Sequence, residues 1–285
     1  MKFATFLYQT TGPEVAAMAR RAEEFGFESL WVPDHIVIPA EYQSPYPYAE
    51  SHRMPGAPGT PFLDPMLALC FAAASTSKIR LATGVMVLPM RNPFAVAKAV
   101  ATLDVLSGGR FIFGVGIGWL KEEFDVIGMD FGNRARRTRE SLAMMKELWT
   151  KEDPNYQGTT TAIREVGFMP KPVQQPHPPI VLGGDTDPSL KRAAQIGDGW
   201  YGIMNSLESA SAAIARLREF ERRENRAHPL EITVSPRFAK PLTPDDVLRL
   251  AAQGVERILL PIPRAAHHDA MAAIERLHRE LITKS

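Results

Sequence analysis

The strongest constraint on the fold is an alternation of short apolar segments with amphipathic segments along the chain of 285 residues. Short apolar runs bounded by turn residues predict strands, and apolar residues three and four positions apart predict helices. The order of strand followed by helix recurs eight times. The predicted strands are KFATFLY, SLWVPDH, IRLATGVMVL, RFIFGVGIG, PPIVLGG, DGWYGI, LEITVSPRF and VERILLPI.

Eight strand–helix units in a chain of this length are typical of a TIM (β/α)8 barrel. The strand segments are apolar throughout, as in parallel strands that are buried on both faces. No segment has the composition of a linker, so residues 1–285 are expected to form a single α/β domain. Two long Pro-rich insertions follow the second strand and precede the fifth. We expect the first to cover the mouth of the barrel, and the second to be peripheral, with a small hairpin.

Composition argues against several classes of protein. The formal net charge of +1 gives no electrostatic reason to bind nucleic acid or an anionic membrane. Cys70 is the single cysteine, so neither a disulfide framework nor a cysteine-based zinc site is expected. No apolar run reaches transmembrane length and no secretion signal is visible, which predicts a cytoplasmic protein. HxH pairs, carboxylate clusters at metal-ligand spacing and GxSxG are missing, which disfavours metal hydrolysis and acyl transfer.

The predicted carboxyl ends of the strands, where a TIM barrel has its active site, are rich in glycine and poor in acids. They are Leu7, Tyr8, Asp34, His35, Gly84, Val85, Gly116–Trp119, Gly183–Asp185, Trp200, Tyr201, Arg237 and Pro261–Pro263. A site of this kind suits a large planar or phosphorylated ligand that is held by backbone amides. A small-molecule substrate is therefore expected.

Two of these ends allow alternative interpretations. Gly183 and Gly184 precede a predicted helix, whose free N–H groups and dipole favour an anion such as phosphate. The alternative is an ordinary turn capped by Asp185 or Asp187. His35 could shuttle a proton near neutral pH, or it could be a loop histidine paired with an acid or with the backbone.

Three further segments bear on a ligand. Gly84 interrupts a predicted strand, where glycine often marks a bulge or a close approach to the backbone. GVGIGW lacks the GxGxxG spacing of a dinucleotide fingerprint, so it is interpreted as a strand end beside a flat ligand. NRARRTRE is interpreted as a mostly solvated face, with Arg136 or Arg137 as candidates for contact with the tail of a cofactor.

Over nearly its whole length the chain resembles the bacterial luciferase-like family, especially its probable F-420-dependent oxidoreductases. The segments that carry the resemblance are SLWVPDH, IRLATGVMVLPMRNPFAVAKAVATLDVLSGGRFIFGVGIGW, PPIVLGG and RAAQIGDGWY. The resemblance implies a luciferase-like barrel, a homodimer, and hydride transfer between coenzyme F-420 (8-hydroxy-5-deazaflavin) and a small organic substrate. FMN shares the flat ring and the ribityl phosphate, so an FMN-dependent monooxygenase served by a flavin reductase is one alternative. A non-catalytic flavin-binding protein is another.

The resemblance also implies roles for individual residues. It places a bulge with a non-proline cis peptide at Gly84–Val85, behind the cofactor ring, and a phosphate loop at Gly183–Gly184. Gly116–Gly118 match the wall beside the ring, Asp34 matches a contact to its polar edge, and His35 matches a catalytic histidine. The predicted cofactor-binding residues are Asp34, Thr83, Gly84, Val85, Gly116, Ile117, Gly118, Leu182, Gly183, Gly184 and Trp200, with no metal ligand.

Two positions depart from the members that oxidise sugar phosphates. Their glutamate after the glycine run is Trp119 here, and their tryptophan after the histidine is Pro39 here. The resemblance therefore does not support oxidation of a sugar phosphate. Trp119, Trp200 and the aromatic segment EYQSPYPY predict a mostly apolar or aromatic substrate pocket; the alternative is that both tryptophans simply pack within the protein.

Overall fold

The computed structural model describes residues 1–7, 14–49, 51–54, 58–237, 241–260 and 270–281. The strands are β1 (Lys2–Phe6), β2 (Ser29–Val32), β3 (Arg80–Thr83), β4 (Met86–Val87), β5 (Phe111–Gly116), β6 (Tyr156–Gln157), β7 (Ala162–Ile163), β8 (Ile180–Gly183), β9 (Gly199–Met204), β10 (Glu231–Pro236) and β11 (Val255–Leu260). The helices are α1 (Glu14–Glu24), α2 (Pro65–Ser75), α3 (Pro93–Ser107), α4 (Lys121–Val126), α5 (Arg134–Thr150), α6 (Asp187–Ile196), α7 (Leu207–Arg223), α8 (Pro244–Ala252) and α9 (Ala270–Glu280), with a 3-10 turn at Leu88–Met90. Tyr8 and Pro261–Pro263, which were predicted at strand ends, lie outside the described residues.

Parallel strands close into a barrel in the order β3, β2, β1, β11, β10, β9, β8, β5 and β4. β3 and β4 are two parts of one barrel strand, interrupted at Gly84 and Val85, and both parts pair with β5. The barrel therefore has eight strands with helices packed outside them, which confirms the predicted TIM fold. Asp64 and Thr243 cap α2 and α8, each just before a proline.

Side chains of the barrel strands divide between two cores because successive residues point to opposite faces of a strand. The inner core consists of Ala4, Trp31, Ala82, Ile112, Val181, Tyr201 and Leu259. Trp31 has no exposed surface, and its ring lies 5.5 Å from that of Tyr201. The outer core fills the space under the helices and includes Leu182 and Trp200. These two side chains therefore point away from the barrel interior.

An ion network lies at the amino-terminal end of the barrel interior. The fully buried Arg257 donates to Glu28 at 2.7 and 2.8 Å and to Thr233 at 3.0 Å, and it also pairs with Glu231. Burial would raise the pKa of Glu28, but hydrogen bonds from Arg257 and its charge outweigh burial and hold that pKa below its usual value. Trp31 and this network fill the lower interior, so space for a ligand is left at the carboxyl end.

Both long insertions lie where the sequence predicts. In the second, β6 and β7 pair antiparallel as a small hairpin. The first connects β2 to α2 and contributes Tyr46, Tyr48 and Met54 to the wall of a cavity at the carboxyl end. Helix α4 was not predicted. None of the described helices combines the length and the apolar composition that a membrane span requires.

Candidate active site

A cavity of about 760 Å³ opens at the carboxyl ends of the strands. This volume lies in the range of small-molecule sites. Most of the predicted site residues line it: Asp34, His35, Gly84, Val85, Gly116, Ile117, Gly118, Gly183 and Gly184. Residues that are distant in sequence therefore meet at one site.

Thr83, Leu182 and Trp200 do not line the cavity, contrary to the prediction. Thr83 donates its hydroxyl to the Gly114 carbonyl at 2.6 Å, and Leu182 belongs to the outer core. Trp200 donates from Nε1 to the Gly184 carbonyl at 2.7 Å. The period of two along a strand explains the error for Trp200, because its neighbour Tyr201 is the residue that faces the cavity.

Side chains of the barrel interior, not open space, lie closest to Gly84. The peptide between Gly84 and Val85 is cis, as the resemblance implied. A Cβ atom on Gly84 would lie 3.1 Å from two Trp31 carbons and 3.3 Å from Phe6. A Cβ on Gly116 would lie 2.6 Å from the Val85 side chain. A Cβ at Gly116 would therefore clash with Val85, and one at Gly84 would be crowded by Trp31 and Phe6.

The loop after β8, which was predicted to bind an anion through free backbone N–H groups, has one of these groups bonded within the chain. Gly184 has a φ of +114°, a conformation that favours glycine, and its N–H donates to the Tyr201 carbonyl at 3.2 Å. The N-cap of α6 is Thr186, and its side chain makes no capping hydrogen bond. The predicted alternative caps at Asp185 and Asp187 are therefore wrong. The Gly184 amide is therefore already bonded within the chain and is not available to an anion.

Two arginines supply positive charge at this end of the cavity. Arg192 of α6 is 6% exposed, lines the cavity and makes no ion pair with an acid among the residues the structure describes. Burial lowers the pKa of Arg192, and the charges of Arg139 and Arg134 lower it further. Arg134 also lines the cavity, and its guanidinium lies 3.6 Å from the centroid of the Phe131 ring. A buried cation beside other cations favours binding of an anion. The sequence pointed instead to Arg136 or Arg137, which do not line the cavity.

His35 is held by a buried glutamate that sequence reasoning missed. Its Nδ1 lies 2.8 Å from Oε2 of Glu123, which is only 2% exposed. Oε1 of Glu123 accepts the backbone N–H groups of Ile36 at 2.7 Å and Val37 at 3.2 Å. A carboxylate only accepts hydrogen bonds, so Nδ1 carries the proton and Nε2 is left for a ligand in the cavity.

The carboxylate of Asp34, which was predicted to contact the edge of a ring, is bonded to other groups of the chain. Its side chain has no exposed surface, and it accepts hydrogen bonds from Arg91 at 2.6 and 3.1 Å and from the Val87 N–H at 2.9 Å. Arg91 also pairs with Asp64 at 2.8 Å. The carboxylate of Asp34 therefore joins the end of β2 to β4, and Asp34 borders the cavity with its main chain.

An aromatic cluster forms the outer wall beside His35. The ring of Trp119 makes edge-on contacts at 5.1 Å with Tyr46, 5.7 Å with Tyr42 and 6.3 Å with His35. This part of the wall agrees with the predicted aromatic pocket. Trp200 takes no part in it.

Helix α4 fixes the loop that carries these tyrosines. Oε1 of Glu122 accepts the N–H groups of Gln43 at 2.7 Å and Ser44 at 3.1 Å. Burial would raise the pKa of Glu122, but hydrogen bonds from Ser44 and Gln43 outweigh it and lower the pKa to about 2. Glu122 and Glu123 thus hold two consecutive parts of one loop over the cavity.

The chemistry available here is proton transfer beside a large apolar slot with a cationic end. The slot is formed by Val85, Gly116–Gly118 and Trp119. Across the described ranges, His, Cys, Asp and Glu side chains form no group of three that could bind a metal ion. An organic ligand with an anionic tail matches this arrangement of groups.

Comparisons with known proteins agree with this description. The family model described as luciferase-like monooxygenase matches residues 2–281. An uncharacterized protein of Mycobacterium tuberculosis (strain ATCC 25618 / H37Rv) is 36% identical over 267 residues, which cover 93% of each chain. F420-dependent tetrahydromethanopterin reductase from Methanopyrus kandleri shares the fold, with a TM-score of 0.79 and 20% identity over 99% of both chains.

Two relatives with named activities match parts of the chain. F420-dependent glucose-6-phosphate dehydrogenase of Amycolatopsis mediterranei (strain U-32) is 32% identical, over 66% of this chain and 53% of its own. FMNH(2)-dependent dimethylsulfone monooxygenase of Pseudomonas putida is 31% identical, over 51% of this chain and 40% of its own. The names of these relatives specify a deazaflavin and a flavin. Given the match of the family model and the extent of the mycobacterial relative, this chain belongs to the luciferase-like monooxygenase family.

Proposed function

We propose that this protein is an F-420-dependent oxidoreductase that transfers hydride between the deazaflavin and a small organic substrate. The observation that carries the proposal is that one cavity is lined both by His35, beside an apolar slot, and by Arg192, which gives the cavity a cationic end. A flat tricyclic ring with a phosphorylated tail matches both parts. The F420-dependent relatives support the same assignment.

The phosphate of the cofactor is assigned to Arg192 and Arg134. Arg192 is buried without an acid partner in the described part of the chain, so a phosphate would supply the missing counter-charge. Ser189, one helical turn before Arg192, also lines the cavity, but its hydroxyl already donates to the Thr186 carbonyl at 2.7 Å, so the two arginines carry the assignment. In this proposal Gly183 and Gly184 form the adjacent backbone wall.

The ring is assigned to the slot beside Val85 and Gly116–Gly118. When bound, the deazaflavin accepts or donates a hydride and so supplies the redox chemistry. His35 supplies the proton transfer that accompanies it, because Glu123 keeps Nδ1 protonated and leaves Nε2 to take or return the proton of a substrate oxygen. Trp119 and the tyrosines of the loop bring an apolar wall to this substrate.

The alternative is an FMN-dependent monooxygenase supplied with reduced flavin by a separate reductase. The FMNH(2)-dependent relative favours it, and the same slot and cationic end accommodate either cofactor. A titration of the purified protein with F-420 and with FMN separates the two. Tighter binding of F-420 supports hydride transfer, whereas tighter binding of FMN would replace our proposal with the monooxygenase. Failure to bind either cofactor would refute both.

The phosphate assignment has its own test, which uses riboflavin as a ligand without phosphate. We expect FMN to bind the native protein more tightly than riboflavin, and Arg192→Met to remove about ten- to a hundredfold of this preference. Lys191→Met is the matched control, because Lys191 is exposed on the same helix. An equal preference in Arg192→Met and Lys191→Met would refute the assignment.

A homodimer is also part of the proposal. Leu67 and Phe71, one turn apart on α2, are 71% and 61% exposed, and Leu106 on the neighbouring α3 is 67% exposed. Large exposed apolar side chains one turn apart on a helix, such as Leu67 and Phe71, are typical of a protein interface. We assign this face to a second copy of the chain.

A further inference from the structure

The cavity wall opposite His35 carries polar groups that the proposed hydride transfer does not use. His35 follows β2, and Tyr201 lies on β9, which is four strands from β2 in either direction around the barrel. Ser235 and Arg237 belong to β10 and the residue just after it. All three side chains belong to residues that line the cavity.

The hydroxyl of Tyr201 is a buried donor that lies near the Ser235 hydroxyl. Tyr201 is 4% exposed, and its hydroxyl makes no hydrogen bond of good geometry to the described residues. Burial raises the pKa of this phenol, and the charge of Arg237 and the nearby Ser235 hydroxyl offset only part of the rise. The phenol therefore stays protonated at physiological pH. Buried hydroxyls are normally hydrogen-bonded, so this one is suited to an oxygen of a ligand.

Arg237 places a positive charge beside Tyr201. Its guanidinium lies 5.9 Å from the centroid of the Tyr46 ring, in the loop that covers the mouth. Arg237 makes no ion pair with an acidic side chain in the parts of the chain that the structure describes. Asp185 is an acidic residue of the same cavity wall, and it is not within ion-pair distance of Arg237. Two neutral hydroxyls and the guanidinium of Arg237, an exposed residue without an acid partner among the described residues, thus border one part of the cavity.

We propose that Tyr201, Ser235 and Arg237 bind a carboxylate of the substrate, at the end remote from the reacting carbon. A carboxylate accepts several hydrogen bonds at once, and those from a charged donor are the strongest. The inference rests on the proposed function, because the opposite end of the substrate then lies at His35. The substrate class is an aromatic or apolar carboxylic acid with an alcohol or a carbonyl group at its other end.

The experiment is a ligand-detected NMR titration with phenylacetate and phenylacetamide, which differ in charge but have nearly the same shape. We expect the native protein to bind phenylacetate more tightly. Tyr201→Phe should weaken the binding of phenylacetate about tenfold. Arg237→Met should abolish the preference for phenylacetate over phenylacetamide. Tyr156→Phe, in the hairpin outside the barrel, is the matched control for loss of a phenol and should change neither affinity.

Two outcomes would overturn the carboxylate site. One is equal binding of the two probes to the native protein, or tighter binding of the amide. The other is a loss of F-420 or FMN affinity in Tyr201→Phe as large as the loss for phenylacetate, because Tyr201 would then bind the cofactor. Tyr201→Phe keeps the ring that packs on Trp31, and its melting temperature should match that of the native protein. Retained phenylacetate binding in a protein that binds neither cofactor would refute the proposed function but support the carboxylate site.

Discussion

Replacing Glu123 by glutamine tests how His35 is held. The buried carboxylate accepts from His35 Nδ1 and from the N–H groups of Ile36 and Val37. The amide of glutamine keeps one oxygen for the two backbone donors but directs an NH2 group at Nδ1. Nδ1 must then accept, so the imidazole proton moves to Nε2. The change removes one charge-assisted hydrogen bond, so we expect Glu123→Gln to lower the free energy of unfolding by about 1–3 kcal/mol.

Two measurements check this expectation. Urea unfolding gives the loss of stability, and nitrogen chemical shifts of the His35 ring report which nitrogen carries the proton. Once a substrate is known, the wrong tautomer should slow turnover by about a hundredfold, because Nε2 can no longer accept a proton. Glu122→Gln is the matched control, since Glu122 binds the same loop through Gln43 and Ser44 and does not touch His35. The reasoning fails if Nδ1 stays protonated in Glu123→Gln, or if Glu122→Gln moves the proton equally.

The packing at Gly84, the dimer interface and the buried ion network can each be tested by one substitution. Gly84→Ala should lower the free energy of unfolding by about 1–3 kcal/mol in urea, because its Cβ would crowd the barrel interior; unchanged stability would contradict the packing argument. Leu67→Glu should convert a dimer to a monomer in light scattering, whereas a native monomer would refute the interface. The pKa of Glu28 is lowered in the fold, so its stabilising effect is complete above the usual value of 4.5 and disappears as pH falls. Glu28→Gln should therefore lower the free energy of unfolding at neutral pH and make it fall less steeply as the pH decreases. If the pH dependence of the free energy of unfolding is unchanged, Glu28 does not have this role.

The barrel could be predicted because its pattern repeats locally. Most barrel strands are apolar runs, and helices such as α1, α6, α7 and α8 have a periodic apolar face, so most units are visible without knowledge of their neighbours. The two-residue period of a strand also explains why Trp200 was wrongly predicted to face the cavity. Trp200 and Tyr201 are both apolar enough for either face of β9, and only the three-dimensional structure shows that Tyr201 faces inwards.

Only part of the candidate site could be predicted. The glycines that border the cavity leave a clear signal in the sequence, whereas the side chains that support the site do not. Glycines at strand ends mark the cavity, and the resemblance places His35 and Val85 there. The partners are less visible, since Glu123 and Arg192 lie 88 and 157 positions after His35 and belong to helices outside the barrel strands. The consecutive acids Glu122 and Glu123 after the glycine run were a signal, but their short helix was not recognised.

Different groups of residues serve the cofactor and the substrate, so one barrel can keep its cofactor site and change its substrate. In our assignment, the slot at Val85 and the cation Arg192 serve the cofactor, whereas Tyr201 and the loop held by α4 face the substrate. Glu122 and Glu123 hold that loop through backbone N–H groups, which every residue except proline provides. Except at Ser44, whose hydroxyl accepts from the Lys121 N–H at 3.1 Å, side chains in the loop can therefore vary without loss of these bonds, whereas His35 is attached through its own side chain. The loop can adapt to a new substrate while the proton-transfer group stays in position.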